Sequence, residues 1–293
     1  MSQGTSCIDP ARRPPACSRA AMTFQPVLVG SGLVGWRFLQ ATLQNQRQAF
    51  DNGALELRDT AYFENKIATI DNAESLVTDR RLLRVALTAF GLQDDINNKF
   101  FIRKVLEEGV TDRDALANKL TDDRYKALAR TFAFDSASGP STKRAGFAEE
   151  IIARYRAQQF ELAVGEQDET LRLAMNFERA LPEVAAGAGS NDTKWFRVMG
   201  TPPLRTVFET ALGLPSGFGQ LDIDRQVETL REKAGARFGA SEIIDLSSEE
   251  IMSKIVRSYL LQSQLQQSSA SQPGQTALAL ISAIPRQSLF NKI

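Results

Sequence analysis

A glycine-rich motif near the start of the chain has the residue types and spacing of a cofactor-binding loop. Gly30, Gly32 and Gly35 match the pattern G-x-G-x-x-G and follow a short apolar run at 27–29. In dinucleotide-binding folds such glycines let the backbone and a helix N-terminus approach the pyrophosphate of the cofactor. Glu56 follows about twenty residues later, where an acidic residue would bind the ribose. The motif raises the hypothesis of a dinucleotide-dependent enzyme.

The surroundings of this motif favour a simpler interpretation. The apolar run comes directly after Pro26, and the stretch that follows, 36–50, is rich in glutamine and has the pattern of a surface helix. The remainder of the chain lacks the alternation of strands and helices that a doubly wound sheet requires. We therefore interpret residues 30–35 as a glycine-rich arm before the first helix, and we keep the dinucleotide-binding enzyme as the alternative.

Two short acidic motifs could supply metal ligands. They are Asp112-Arg113-Asp114 and Asp222-Ile223-Asp224. Neither continues as a calcium-binding loop, because the sixth position is Ala117 or Val227 where such a loop needs glycine. Aspartates at these places are typical of residues that cap helix N-termini. The sequence predicts no metal site and no bound cofactor.

The composition excludes several classes of function. The chain has 293 residues with 35 basic and 35 acidic side chains and no histidine, which argues against imidazole catalysis and against bulk attraction to nucleic acid. Both cysteines, Cys7 and Cys17, precede Met22. No apolar run is long enough to cross a membrane, and the first residues lack the apolar segment of a cleaved signal peptide. We expect neither membrane insertion nor nucleic-acid binding.

Hydrophobic periodicity and cap residues predict an all-α, multihelical fold. Apolar residues recur every three to four positions through most of the chain, and aspartates such as Asp79, Asp122 and Asp222 precede several of these stretches. Joining segments are only a few residues long, as is usual between neighbouring helices of a compact domain.

An internal repeat organises this helical pattern. The phrase from Leu82 to Leu92 recurs from Leu204 to Leu214, and each copy ends in Gly-Leu after an apolar helix. Gly91 and Gly213 occupy the position where a left-handed residue closes a helix. Weaker matches upstream and downstream keep the same order. The pattern predicts duplication of a helical unit of roughly a hundred residues, longer than a solenoid repeat.

The repeat and the composition together predict five segments. Residues 1–21 form a disordered extension ahead of a second possible start at Met22, and 22–135 form the first helical repeat. A linker at 136–146, rich in serine, glycine and proline, precedes the second repeat at 147–261. Residues 262–293 form a flexible C-terminal tail that begins with a polar, glutamine-rich stretch.

Two places carry apolar residues that could contact a protein partner. Phe218 lies at the tip of a turn at 215–219 formed by proline and glycine. Four apolar residues of the tail form a small patch, which either folds back on the core or docks on a partner, the second being favoured: Leu278, Leu280, Ile281 and Ile284. We interpret both places, together with the glutamine-rich first helix, as candidate contact surfaces.

Six short motifs occur in a fixed order between residues 22 and 261: Gly-Trp-Arg-Phe-Leu at 35–39, Asp-Arg-Arg-Leu-Leu at 79–83, Ala-Phe-Gly-Leu at 89–92, Asp-Asp-Arg-Tyr at 122–125, Ala-Leu-Gly-Leu-Pro at 211–215 and Asp-Ile-Asp-Arg-Gln at 222–226. In these motifs and their order, residues 22–261 resemble an uncharacterised alphaproteobacterial family of unknown function, whose members are often found beside flagellar genes. The family supplies no catalytic residue. It implies a non-enzymatic, flagellum-associated structural or accessory protein that acts through protein contacts, in the bacterial cytoplasm or at the flagellum.

Overall fold

The structure, a computed structural model, describes residues 24–271. Within this range the chain forms α-helices and short 3-10 helices and no β-strand, so the predicted all-α, multihelical fold is confirmed. The helices of the first half are α1 Gly32–Asp51, α2 Ala54–Ile67, α3 Ala73–Thr78, α4 Arg80–Ala89, α5 Lys99–Glu108, α6 Leu116–Lys119 and α7 Asp123–Phe132.

The second half repeats the order of elements in the first. Its helices are α8 Phe147–Gly165, α9 Glu169–Ala186, α10 Asn191–Gly200, α11 Pro202–Ala211, α12 Ile223–Phe238, α13 Ile243–Leu246 and α14 Glu249–Ser271. A 3-10 helix follows the fourth helix of each half, at Gln93–Asn97 and at Ser216–Gln220. A third 3-10 helix, Ser141–Lys143, lies between the halves. This order is what a duplication would produce, and the duplication itself stays a prediction.

The two repeated Gly-Leu phrases form the predicted helix ends. Gly91 and Gly213 have φ angles of 69° and 64°. In each copy the glycine amide donates to the carbonyl three residues back, at 2.9 and 3.0 Å, and the amide of the next residue, Leu92 or Leu214, donates five residues back at 2.9 Å. This pair of hydrogen bonds is the Schellman motif, which satisfies carbonyls left free at the end of a helix. The predicted caps at Gly91 and Gly213 are confirmed.

The helices bury two large hydrophobic cores. The first core lies among α2, α3, α4, α5, α7 and the start of α8, and includes Phe63, Leu83, Ile102, Phe132, Phe147 and Tyr155. The second core lies among α1, the end of α8 and α9 to α14, and includes Trp36, Phe160, Phe177, Trp195, Phe208 and Tyr259. Helix α8 therefore contributes to both cores, since its first half belongs to one and its second half to the other.

The cores do not divide the chain at the predicted boundary between 22–135 and 147–261. Helix α1 lies on the second core, where the ring of Phe50 packs edge to face with Phe160 at 5.6 Å between centroids. The predicted linker at 136–146 also takes part in the fold, because Thr142 is buried and its Oγ1 donates to the carbonyl of Ile70 at 2.7 Å. Burial of apolar stripes, rather than sequence order, decides which helices pack together.

Two boundaries in the second half differ from expectation. Helix α14 continues to Ser271, so the first part of the predicted 262–293 tail is helical, which its glutamines favour by their good helix propensity. Pro182, a residue type that usually ends a helix, lies inside α9, which ends only at Ala186. The predicted extension at 1–21 and the four apolar tail residues lie outside the described residues.

No helix in the described range is long and apolar enough to cross a lipid bilayer.

Candidate functional site

The main candidate site is a cleft of about 820 Å³ where the two halves of the chain meet. Helices α7, α8 and α9 supply most of its lining, and the ends of α4, α10 and α11 complete it. An ion pair between Arg197 of α10 and Asp123 of α7, with 3.4 Å between Nε and Oδ2, joins the halves at one side. We call this feature the central cleft.

Gln158 of α8 lies in the central cleft with a side chain that has no hydrogen-bond partner. The residue is only 7% exposed, and no atom of the described chain pairs with its amide. The amide of Gln158 faces the open cleft, whereas a second amide oxygen of the cleft, Oε1 of Gln93, is itself buried and has no partner. Since an unpaired buried polar group costs about 1–3 kcal/mol, such groups call for an explanation. These two amides are available to a ligand.

The backbone of Gly91 holds the centre of this arrangement together. Its carbonyl accepts a hydrogen bond from Nη1 of Arg124. A β-carbon on Gly91 would lie 3.4 Å from that nitrogen and also 3.4 Å from Nε2 of Gln158. The glycine that closes α4 thus brings a guanidinium and an unpaired amide to the same point of the cleft.

Three cations line the α7–α8 side of the cleft, and two of them are unpaired among the described residues. Lys126 and Arg130, one helical turn apart on α7, have no ion-pair partner in the described chain. The guanidinium of Arg154 lies 5.5 Å from the ring centre of Phe90 and forms an ion pair with Glu150 at 3.7 Å. These three cations form what we call the basic wall.

The other cations of the cleft are already neutralised by partners. They pair as follows: Arg124 with Asp122, Arg172 with Glu169, Arg179 with Glu161 and Arg197 with Asp123. The α9 side also carries Glu166 and Glu183, which have no ion-pair partner in the part of the chain that the structure describes. Asp94 of the 3-10 helix after α4 also lines the cleft without an ion-pair partner in the described residues. The cleft therefore has a basic wall, an opposing side with two free carboxylates, and a third free carboxylate beside α4.

A buried ion pair fixes the floor between α8 and α9. Glu161, whose side chain is 1% exposed, accepts hydrogen bonds from Nε and Nη2 of Arg179 at 2.7 and 3.2 Å and from Nδ2 of Asn176 at 3.2 Å. Burial lowers the pKa of Arg179, but the hydrogen bonds and the charge of Glu161 outweigh burial and raise the pKa overall. Arg179 therefore stays charged and holds the two helices in register.

A second cavity, of about 760 Å³, lies between α10 and α12. Its cations already have carboxylate partners, since Arg231 lies 2.7 Å from Asp192 and Arg225 lies 3.2 Å from Glu228. The described residues that line this second cavity include no unpaired amide like that of Gln158, so the central cleft is the stronger candidate.

The glycine motif is packed against the protein itself. Residues 24–29 ahead of it are not a strand, and a β-carbon on Gly35 would lie 2.6 Å from the carbonyl oxygen of Gly30. A β-carbon on Gly32 would collide with the side chain of Gln264. These glycines allow close packing of α1 against α14 and the arm. With no strand in the described chain, nothing in this geometry supports dinucleotide binding.

The predicted contact residues have different outcomes. Phe218 is only 3% exposed and belongs to the second core, because the 3-10 helix Ser216–Gln220 turns its ring inward. The interpretation of Phe218 as an exposed aromatic tip is therefore corrected. Leu278, Leu280, Ile281 and Ile284 lie outside the described residues. The glutamine-rich surface of α1 is present, and its Gln46 is buried and bonded to both backbone groups of Val27.

The acidic motifs have structural roles. Asp222 caps α12 by accepting a hydrogen bond from the amide of Asp224 at 3.0 Å, as predicted. Asp112 accepts one from the amide of Asp114 at 2.9 Å in a turn before α6, whose own N-cap is Ala115. Within the described range no group of three or more aspartate, glutamate, cysteine or histidine side chains could hold a metal ion.

Comparison with known families identifies the chain. The model of a family described as a protein of unknown function (DUF1217) matches residues 89–252, more than half of the sequence. The chain belongs to this family. Every residue that lines the central cleft falls within the matched stretch, whereas α1 to α3 precede it. The predicted resemblance to a family of unknown function is confirmed in this respect.

A solved structure has a similar fold. The crystal structure of protein AGR_C_984 from Agrobacterium tumefaciens, a structural genomics target, has 26% sequence identity to this chain and a TM-score of 0.67. The similarity covers 83% of this chain and 99% of the other. No curated protein matches the sequence.

Sequence reasoning missed the central cleft. Its unpaired groups come from α7, α8 and the 3-10 helix after α4, and the sequence does not show that these elements meet. One local signal was present, since Lys126 and Arg130 are separated by one helical turn on the same face of α7. That signal alone is common on solvated helix faces, so it did not distinguish a site.

Proposed function

We propose that the protein is a non-enzymatic structural or accessory protein of the bacterial flagellar system and that it acts by binding another protein. The flagellar part rests on the resemblance of six ordered motifs, from Gly-Trp-Arg-Phe-Leu at 35–39 to Asp-Ile-Asp-Arg-Gln at 222–226. The proposed location is the cytoplasm or the flagellum.

The unpaired side chain of Gln158 carries the proposal of protein binding. The residue is 7% exposed, and its amide faces an open cleft that also carries unpaired charges, without a hydrogen-bond partner in the described chain. Interfaces between proteins pair such polar groups across the contact and bury them further. The central cleft is thus proposed as the contact surface, in place of the Phe218 turn.

The test is a clean deletion of the gene, complemented with the chain starting at Met22. Swimming on soft agar and counts of filaments and basal bodies by electron microscopy are the two readouts. The proposal expects lost or reduced swimming that complementation restores, with assembly stopped at one defined stage. Normal swimming with normal numbers of filaments would contradict the flagellar role.

A complementation variant connects the phenotype to the cleft. Lys126→Glu with Arg130→Glu reverses two charges of the basic wall, and Lys233→Glu with Arg237→Glu reverses two exposed charges at the same spacing on α12. The first pair is expected to restore swimming poorly and the second pair fully, at equal protein levels. Equal restoration by both variants would contradict a role for the cleft.

A further inference from the structure

We infer that the central cleft binds an extended, acidic segment of a partner polypeptide. This inference rests on the proposed protein-binding role but does not depend on the flagellar assignment. Three properties of the cleft carry it: unpaired amides at its centre, a basic wall on one side and free carboxylates on the other.

The unpaired amides fit a peptide backbone. Gln158 offers both a donor and an acceptor, and Gln93 offers a buried acceptor, so together they complement the N–H and C=O groups of a passing chain. A segment that is helical uses its own backbone groups, whereas an extended segment leaves them free. The pairing therefore favours an extended occupant.

The basic wall selects acidic side chains. Lys126 and Arg130 of α7 line the cleft without an ion-pair partner in the described chain, and Arg154 of α8 adds a third cation, which pairs with the half-buried Glu150 at 3.7 Å. Side chains one turn apart on a helix have β-carbons about 5–6 Å apart, close to the distance between alternate side chains of an extended peptide. Carboxylates at every second residue of the ligand would match this wall.

The opposite side of the cleft argues against a uniformly charged polymer. Glu166 and Glu183 line the α9 side without ion-pair partners, so a nucleic acid would meet repulsion there. An extended peptide presents alternate side chains to opposite sides. It can therefore place acidic residues against the basic wall and neutral residues against α9.

The first test measures binding of a fluorescein-labelled peptide in which glutamate and serine alternate, by fluorescence anisotropy with the full chain. The comparison peptide has glutamine in place of glutamate. We expect the glutamate peptide to bind about tenfold more tightly, and its binding to weaken as salt is added. Equal binding of the two peptides would overturn the inference.

Matched charge reversals locate the binding site. The double variant Lys126→Glu with Arg130→Glu is expected to weaken binding of the glutamate peptide about tenfold or more. The control, Lys233→Glu with Arg237→Glu, makes the same change in net charge on α12 and is expected to change the affinity less than about twofold. Circular dichroism and thermal unfolding verify that both variants are folded. An equal loss in both variants would reduce the effect to net charge and overturn the inference.

Gln158→Leu tests the amide separately from the charges. The substitution removes a group that has no partner in the free protein, so we expect the fold to be retained and peptide affinity to fall about fivefold. The salt dependence should stay as in the wild type, because no charge is removed. Unchanged affinity would contradict the pairing of Gln158 with the ligand backbone.

Binding of a nucleic acid in the cleft would give a different result. A fluorescein-labelled single-stranded oligothymidine that binds in a manner dependent on Lys126 and Arg130, with no binding of the glutamate peptide, would overturn the inference in favour of a nucleic acid. Normal swimming of the deletion strain together with specific peptide binding would refute only the flagellar role. Lost swimming without peptide binding would refute only this inference.

Discussion

Arg179 of α9 donates two hydrogen bonds to the buried carboxylate of Glu161 in α8, at 2.7 and 3.2 Å, and so ties together two helices that line the central cleft. The glutamate side chain is 1% exposed. A buried charge that loses its partner is strongly destabilising, whereas an exposed ion pair contributes little. The pair therefore fixes the position of the cleft floor, on which ligand recognition would depend.

Arg179→Met is expected to lower the free energy of unfolding by about 3 kcal/mol, because Glu161 would stay buried without its counter-charge. The control is Arg225→Met, which removes a cation that is 75% exposed and pairs with Glu228, and its effect should be below about 0.5 kcal/mol. Urea denaturation followed by circular dichroism measures both. Similar losses in the two variants would show that Glu161 does not need Arg179.

Gln158 and Gln226 are both buried glutamines, but only one is bonded. The amide of Gln226 accepts from Nη2 of Arg205 at 2.9 Å and donates to the carbonyl of Leu221 at 2.6 Å. Gln226→Leu should cost about 2 kcal/mol, because it leaves these groups unpaired, while Gln158→Leu should be neutral or slightly stabilising. Thermal and urea unfolding of the two variants test this contrast. A large loss in Gln158→Leu would mean that its amide is satisfied in the free protein.

Gln46 anchors the N-terminal arm, here the segment 24–31 that precedes α1, to that helix. Its Oε1 accepts from the amide of Val27 at 2.7 Å, and its Nε2 donates to the carbonyl of Val27 at 3.0 Å. Gln46→Leu should release the arm and raise amide hydrogen exchange in residues 24–31 about tenfold, while Gln44→Leu, an exposed control on the same helix, should not. Hydrogen exchange of this segment, measured by mass spectrometry, tests the prediction. An arm equally protected in both variants would refute the anchoring role.

Acid should weaken the contact between Asp135 and the loop that follows α5. Burial raises the pKa of Asp135, but hydrogen bonds from the Thr111 hydroxyl and from the amides of Val110 and Thr111 outweigh it and hold the pKa below its ordinary value of 3.8. Because the folded pKa is the lower one, this stability is present above pH 3.8 and is lost as the pH falls through the folded value.

Asp135→Asn should therefore be less stable than the wild type at neutral pH, and the difference should shrink as the pH falls below 3.8. Urea unfolding at a series of pH values measures the difference directly. A constant difference across the series would indicate that the hydrogen bonds to Asp135 do not depend on its charge.

Features set by neighbouring residues were predictable from the sequence. The glycine ends of α4 and α11 depend on a few consecutive residues, and the N-caps Asp79, Asp122 and Asp222 accept hydrogen bonds from amides two or three positions later. Such local chemistry fixes where a helix starts and stops. It does not fix which helices pack together.

Features that depend on distant packing were not predictable. Gln158 and Gln159 are adjacent in the sequence, yet Gln159 donates to the hydroxyl of Tyr155 at 3.2 Å while Gln158 faces the central cleft without a partner. Likewise, the proline and glycines around Phe218 indicated an exposed turn, but the second core takes up its ring. Whether a single side chain is buried depends on elements distant in the sequence, and the spacing of neighbouring residues does not indicate it.

Helix α1 packs on the second core, and the start of α8 packs on the first. Cleavage of the chain between the two halves would therefore disturb both cores. A cut at the exposed Gly139 would leave each fragment without one helix of its own hydrophobic core. Neither fragment should fold alone. On mixing, the two should reassemble into a complex whose stability depends on the fragment concentration. In this respect the molecule resembles an intertwined dimer whose two subunits have been joined end to end.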